Sequence, residues 1–172
     1  MPDGSTQYEV KTTLTLTASG GTYIHYLEAT TDAKSGPSAS GTFYSVELQN
    51  PTVTAGGMAG SGTLALNKRE NGSMTVLAST VVPCHNGTTI RSVMTTYGIF
   101  VFVDNLYYLS SYPTPLLSGK PGIGAFATPA GNSIARVDLG GLDRVGPSAV
   151  ISQSIGTSEY PDHVGFAVAG GG

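Results

Sequence analysis

Apolar and polar residues alternate along much of the chain, and this period of two is typical of half-buried β-strands. Residues 8–16 (YEVKTTLTL) show the alternation clearly, because Leu14 and Leu16 are separated by a threonine. A Ser-Gly-Gly turn at 19–21 and a second strand-like segment at 23–30 follow. We therefore predict a β-hairpin in this part of the chain.

Further segments of the same character lie between turns rich in Gly, Pro or Asn-Gly. They are residues 42–48, 63–68, 74–82, 89–95, 99–103, 106–109, 122–127 and 135–142. About ten short strands at intervals of roughly 8–12 residues, without a convincing helix, indicate a two-sheet sandwich or a closed barrel. The fold class is therefore predicted to be all-β and antiparallel.

The composition agrees with such a fold. Gly, Ser and Thr account for more than a third of the 172 residues. Charged residues make up only 11%, against roughly 25% in an average domain. Thr and Ser suit outward strand positions, because they keep that face polar without charge.

Several classes of protein are excluded by the same counts. The 8 Lys and Arg residues are scattered, so the basic cluster of a nucleic-acid binder is missing. The longest apolar run, residues 99–103, is far shorter than the roughly 18 residues of a membrane span. Cys84 is the single cysteine and cannot form a disulfide within the chain. We expect neither a nucleic-acid partner nor membrane insertion.

The character of the sequence changes after residue 142. We predict a sandwich domain at 1–142 and a C-terminal tail at 143–172. The tail holds two strand-like segments, 149–154 and 163–169, and ends in three glycines of the linker type. It consists either of extra strands of the same sandwich or of the start of a next module.

A series of short motifs, in a fixed order, points to a known family. They are residues 44–49 (YSVELQ), 71–72 (NG), 90–93 (IRSV), 98–105 (GIFVFVDN), 118–124 (SGKPGIG) and 137–140 (VDLG). In content and order they resemble the concanavalin A-like jelly roll in its laminin G-like form, over residues 8–142. The resemblance implies an antiparallel two-sheet jelly-roll sandwich.

One departure from this family concerns the first strands. Members usually carry a further strand or two before the segment that matches Tyr8, so the domain is expected to be N-terminally abbreviated. The strand at 135–142 would then lose a neighbour, and an exposed edge must be covered or paired. We expect the tail at 149–169, or a neighbouring subunit, to cover it.

No catalytic residue is predicted. Jelly rolls that cleave β-glucans share a Glu-x-Asp-x-Glu motif on one strand. Because every second side chain faces the same way, this spacing puts the two catalytic carboxylates on one face. No such spacing exists here, although Glu28 and Glu47 could still pair across strands. Beside His85, the lone Cys84 is interpreted as a buried apolar residue.

Calcium is the one cofactor that the sequence leaves open, since laminin G-like sandwiches sometimes bind it through loop oxygens. The weak candidates are Asp32, Asp104, Asn105 and Asp138. A calcium ion takes six to eight oxygen ligands, and no run of the sequence supplies them. The pair Asp104-Asn105 is explained equally well as turn chemistry.

A binding site for glycans is the most suggestive reading of the remaining side chains. Sugars are held by aromatic faces and directional polar groups, and Tyr offers both. The candidate set on the concave sheet is His25, Glu47, Gln49, Arg91 and Tyr97.

We therefore expect a non-catalytic, extracellular or surface-exposed module for binding or adhesion, most plausibly to glycans. Two alternatives stay open. The chain could be a structural subunit of a filament, appendage or virion that assembles through sheet edges. It could also be a glycosidase or lyase of the jelly-roll class.

Overall fold

The computed structural model describes residues 8–29, 42–56, 58–70, 73–95, 97–112, 120–141, 149–151 and 164–165. The strands in these stretches are β1 (Tyr8–Thr15), β2 (Thr22–Ala29), β3 (Thr42–Gln49), β4 (Gly60–Glu70), β5 (Ser73–Cys84), β6 (Thr89–Met94), β7 (Ile99–Val103), β8 (Leu106–Ser111), β9 (Lys120–Phe126), β10 (Ser133–Gly141), β11 (Ala149–Ile151) and β12 (Val164–Gly165). No helix in these stretches is long and apolar enough to cross a membrane.

The strands form two six-stranded sheets. Sheet I has the order β11-β10-β1-β6-β7-β8, and sheet II has the order β12-β9-β2-β3-β4-β5. Every strand pairing is antiparallel. The prediction of an all-β, antiparallel two-sheet sandwich is confirmed, and the ten predicted strands correspond to β1–β10.

The predicted hairpin between β1 and β2 is wrong, because these strands lie in different sheets. Both strands are apolar on one face, and burial of those faces is gained when they stack against each other. The turn that joins them is held by distant segments. Gly20 donates its N–H to the carbonyl of Pro51 (2.8 Å), and the Oδ1 of Asn132 accepts the N–H of Thr17 (2.8 Å).

The core lies between the inner faces of the two sheets. Its largest fully buried apolar side chains are Tyr23, Tyr44, Leu14, Leu16, Leu27, Leu48, Leu64, Leu66, Ile90 and Met94. One polar bridge crosses this core: the ring of His25, only 1% exposed, contacts the hydroxyls of Thr12 (2.8 Å) and Ser92 (2.7 Å). The bridge joins β2 of sheet II to β1 and β6 of sheet I.

The tail contributes a strand to each sheet. In sheet I, β11 pairs with β10, with Ile151 opposite Val137. In sheet II, β12 pairs with β9, with Val164 opposite Ile123. The tail therefore covers the edge of β10 at Val137–Leu139, as the first of the two expectations had it. The proposed boundary after residue 142 lies outside the described residues and stays a prediction.

Burial of His25 makes the stability of the fold depend on pH. Desolvation lowers the pKa of His25 from 6.5 to about 3, so the unfolded chain takes up the proton first. The contribution is complete above pH 6.5 and is lost as the pH falls from 6.5 towards 3. At pH 5 the loss amounts to about 2 kcal/mol. We expect the urea midpoint of the wild type to drop between pH 7 and pH 5, and His25→Gln to lose most of this dependence.

His85 provides the matched control. Its pKa is raised, first by the hydrogen bond to the carbonyl of Asn86. Its contribution is therefore present at low pH and is lost as the pH rises through the folded pKa. His85→Gln should keep or steepen the acid loss, and an unchanged pH dependence in His25→Gln would contradict the assignment.

Candidate functional site

The structure distributes the five predicted binding residues over separate parts of the molecule. His25 lies in the core, Arg91 on the outer face of sheet I, and Tyr97 in the turn between β6 and β7. Glu47 and Gln49 lie together on the outer face of sheet II. The expectation that all five share one face is therefore wrong.

His25 departs from the expected face because of strand register. It stands opposite Val46, so it shares the inner face with Val46, whereas Glu47 points to the outer face. Neighbouring residues of a strand point to opposite sides. Both ring nitrogens of His25 contact hydroxyls of the core, those of Thr12 and Ser92, so the buried ring is not available to a ligand.

Arg91 is fixed on the outer face of sheet I by a carboxylate and an aromatic ring. Its Nε and Nη2 both donate to one oxygen of Glu9, at 2.9 and 2.7 Å. Its guanidinium carbon also lies 5.2 Å from the centroid of the Phe102 ring. Arg91 and Glu47 are therefore on opposite outer surfaces of the sandwich, while Tyr97 is 82% exposed.

The outer face of sheet II carries a cluster of polar side chains on β3 and β4. We call it the polar row, and it consists of Ser45, Glu47, Gln49, Asn67 and Arg69. Glu47 is its centre: Oε1 accepts from the Ser45 hydroxyl (2.8 Å), and Oε2 accepts from the Gln49 amide (2.9 Å). The guanidinium of Arg69 lies 3.5 Å from Oε1. The carboxylate is thus surrounded by donors on both strands.

Asn67 is the unusual member of the polar row. It is 0% exposed, and within the described part of the chain neither its amide nitrogen nor its amide oxygen has a hydrogen-bond partner. It stands between Ser45 on β3 and Val76 on β5, at a β-bulge in the pairing of β4 with β5. A buried amide without partners costs free energy, and such groups usually have a role beyond packing.

The surroundings of the polar row differ on its two sides. Towards β2 lies a small apolar cluster of Ile24, Tyr26 and Phe43, with the rings of Tyr26 and Phe43 edge to face at 5.3 Å. Towards β5 the outer face is open, and Val76 and Val81 are 53% and 67% exposed. A ligand on this face would meet apolar surface beside the polar row.

Asn67 and Arg69 were missed by the sequence reasoning. The signal was present, because Leu64 and Leu66 on the same strand are core residues and the alternate positions must face outward. What the sequence could not show is that β4 lies beside β3 in the register that sets Asn67 opposite Ser45.

The carboxylate pair that the sequence left open, Glu28 and Glu47, is not aligned across β2 and β3. Glu47 stands opposite Ile24, and Glu28 is four residues further along β2. At about 3.4 Å per residue the two positions are roughly 14 Å apart along the strand, beyond the roughly 5–9.5 Å of a glycosidase pair. The side chain of Glu28 itself lies outside the described part of the chain.

Two of the calcium candidates have other partners. Asp104 accepts the N–H of Thr89 (2.8 Å) and contacts Nε2 of His85 (2.9 Å), and Asp138 accepts from Arg136 (2.9 Å). The fourth, Asp32, is outside the described residues. Asn105 has a φ of 65°, as a turn residue does. Among the described side chains no group of three or more His, Cys, Asp or Glu could hold a metal ion.

Cys84 is buried at 0% exposure, as its interpretation as an apolar residue requires. Burial raises the pKa of its thiol to about 11, with a smaller contribution from the charge of Asp104. A thiol with so high a pKa is a poor nucleophile.

Comparison with known proteins gives a likeness of fold. No family model matches the chain, and no curated protein matches its sequence. The carbohydrate-binding module CBM66 from Bacillus subtilis is similar in structure, with a TM-score of 0.50 and 13% identity. The match covers 69% of this chain and 66% of that module, just under two thirds of its length.

A second solved structure, sheep galectin-11 in complex with glycerol, has a TM-score of 0.49 and 13% identity. The match covers 78% of this chain and 89% of the galectin. Together with the two antiparallel sheets, the likeness to the module gives the fold: a concanavalin-like jelly-roll sandwich.

The contact between Glu47 and Arg69 predicts a stability effect. Glu47 is 4% exposed, so loss of Arg69 leaves a buried carboxylate with neutral donors only. Arg69→Met should lower the free energy of unfolding by roughly 1–3 kcal/mol. Glu47→Gln in the same chain should recover part of the loss, and a double-mutant cycle by urea denaturation measures the coupling.

Arg136→Met is the control for this cycle, because the side chain of Arg136 is 54% exposed in its pair with Asp138. Its loss should stay below about 1 kcal/mol. Equal losses for the two arginine variants would show that the Glu47–Arg69 contact is no stronger than a surface pair.

Proposed function

We propose that the chain is a non-catalytic carbohydrate-binding module whose ligand lies on the outer face of sheet II. The observation that carries this proposal is the buried amide of Asn67, whose nitrogen and oxygen have no hydrogen-bond partner among the residues that the structure describes. A sugar hydroxyl both donates and accepts, so adjacent hydroxyls can satisfy an amide that offers two donors and an acceptor.

The rest of the polar row supports a sugar as the ligand. Gln49 and Arg69 keep part of their surface accessible and can donate to ring or hydroxyl oxygens. The contact of Arg69 with Glu47 is long, at 3.5 Å. We expect the Arg69 side chain to move when a ligand approaches Asn67 from the exposed outer face of β5.

The apolar surface beside the polar row supports the same ligand class. Binding sites for small molecules combine apolar walls with a few placed polar groups. Val76, which is aligned with Asn67, offers exposed apolar surface beside it, and Val81 extends that surface further along β5. The fold is also that of a solved module named for carbohydrate binding. Fold alone does not establish function, so the polar row is the stronger support.

A binding role is favoured over hydrolysis because Glu47 has no second carboxylate at a catalytic spacing among the described residues, and its oxygens already accept from Ser45 and Gln49. We further propose that the module acts outside the cell or on an exposed surface, in adhesion or attachment. The supports are the low charge, the Ser- and Thr-rich strands and the motifs similar to laminin G-like domains.

The proposal is tested by screening the full chain on a glycan array and measuring the strongest ligand by calorimetry. Asn67→Leu should weaken binding about tenfold or more, because the hydrogen bonds to the amide are lost. The same substitution should leave the urea midpoint unchanged or raise it, since it removes an unsatisfied buried group. This combination separates a ligand-binding role from a structural one.

Thr13→Leu is the matched control, because Thr13 lies on β1 in the opposite sheet and is aligned with Thr89 on the outer face. It should bind like the wild type. Wild-type affinity in Asn67→Leu would rule out the polar row as the site. Failure of the wild type to bind any glycan on the array would overturn the function.

A further inference from the structure

In the described part of the chain, the sheet edges are paired with tail strands on one side of the sandwich and are bare on the other. On one side the tail strands β11 and β12 cover β10 and β9. On the other side β8 ends sheet I and β5 ends sheet II, and no further strand of the described chain pairs with either. Because β5 also packs close to β8 across the sandwich, the two bare edges lie side by side.

These two edges have none of the usual protection against pairing. Natural edge strands carry charges, inward-facing lysines or prolines along their length. Neither β5 (SMTVLASTVVPC) nor β8 (LYYLSS) contains a charged residue, and the one proline stands next to the end of β5. A long uncharged edge with free N–H and C=O groups is a template for another strand.

Exposed apolar side chains are concentrated on the same side. Of the eight exposed large apolar residues among the described ones, five belong to these two strands: Met74, Val76, Val81, Leu106 and Tyr107. Their exposed surface is on the order of 500 Å² per copy. Pairing of two copies through these edges would bury the backbone edges and the adjoining flanks of these side chains, while the outer face of β5 stays open to a ligand.

We infer that this side binds a second copy of the chain, with β5 pairing antiparallel to β5 of the second copy around a two-fold axis. The β-bulge supplies the register. Val76 is aligned with Asn67, and Ser79 is aligned with Ala65, so both face outward although they are three positions apart. In a strand without a bulge such residues would point to opposite faces.

Because of the bulge, an antiparallel pairing centred between Leu77 and Ala78 sets outward positions of one copy opposite outward positions of the other, and inward opposite inward. It sets Val76 opposite Ser79 of the second copy and Met74 opposite Val81, with all four on the outer face. A register shifted by two residues would place inward and outward positions opposite each other at the bulge. The two-fold axis also brings β8 near β8 of the second copy, which covers Leu106 and Tyr107.

The inference is tested by sedimentation velocity on the full chain over a wide range of concentrations. The wild type should show a reversible monomer–dimer equilibrium. Val76→Lys should raise the dimer dissociation constant about tenfold or more, because an uncompensated charge enters the interface. Val76→Lys with Ser79→Glu should restore dimerisation, since the register places the two new charges opposite each other across the axis.

Thr63→Lys is the matched control, because Thr63 is exposed on β4, which is an interior strand of sheet II. It should dimerise like the wild type, and circular dichroism confirms that each variant is folded. A wild type that stays monomeric at every concentration would overturn the inference. So would open-ended assembly, or a double variant no better than Val76→Lys, because neither fits a closed two-fold pairing in this register.

Discussion

The burial of one apolar face of each sheet against the other is the interaction on which the rest of this structure depends. Leu14 of β1 and Leu16, which directly follows it, belong to the same core cluster as Tyr23 and Leu27 of β2, and no hydrogen-bonded pairing joins those two strands. At roughly 1.5–3 kcal/mol for each large apolar side chain, this burial outweighs any local preference of the turn for a hairpin. The chain therefore crosses from one sheet to the other where its local sequence favours a return within one sheet.

Because the inner faces carry the stability, the outer faces are free to carry chemistry. The outer face of sheet I uses that freedom for a paired charge, in which Arg91 is held by Glu9 and by the ring of Phe102. The outer face of sheet II has a different arrangement. There, Glu47 accepts hydrogen bonds from Ser45 and Gln49, while the buried amide of the neighbouring Asn67 has no hydrogen-bond partner among the described residues.

Packing of the sheet faces does not provide hydrogen-bond partners for the N–H and C=O groups of an edge strand, so the edges must be satisfied in another way. The tail covers the edges of β10 and β9. At β5 and β8 the edges are apolar and exposed, and Val76, Val81 and Tyr107 lie there at the surface.

The sequence by itself determined the strands and the face that each presents to the core, because both follow from local alternation. The alternation placed Leu14 and Leu16 on one face of their segment. It placed Leu48 on the face opposite Glu47 and Gln49, and Leu48 is buried in the core. Only the tertiary structure decided which strands are neighbours. Arg69 lies beside Glu47 because β4 pairs with β3. Arg91 lies on the outer face of the other sheet because β6 pairs with β1, which is distant in the chain. Those registers are set by the packing of whole apolar faces, and no short stretch of sequence contains that information.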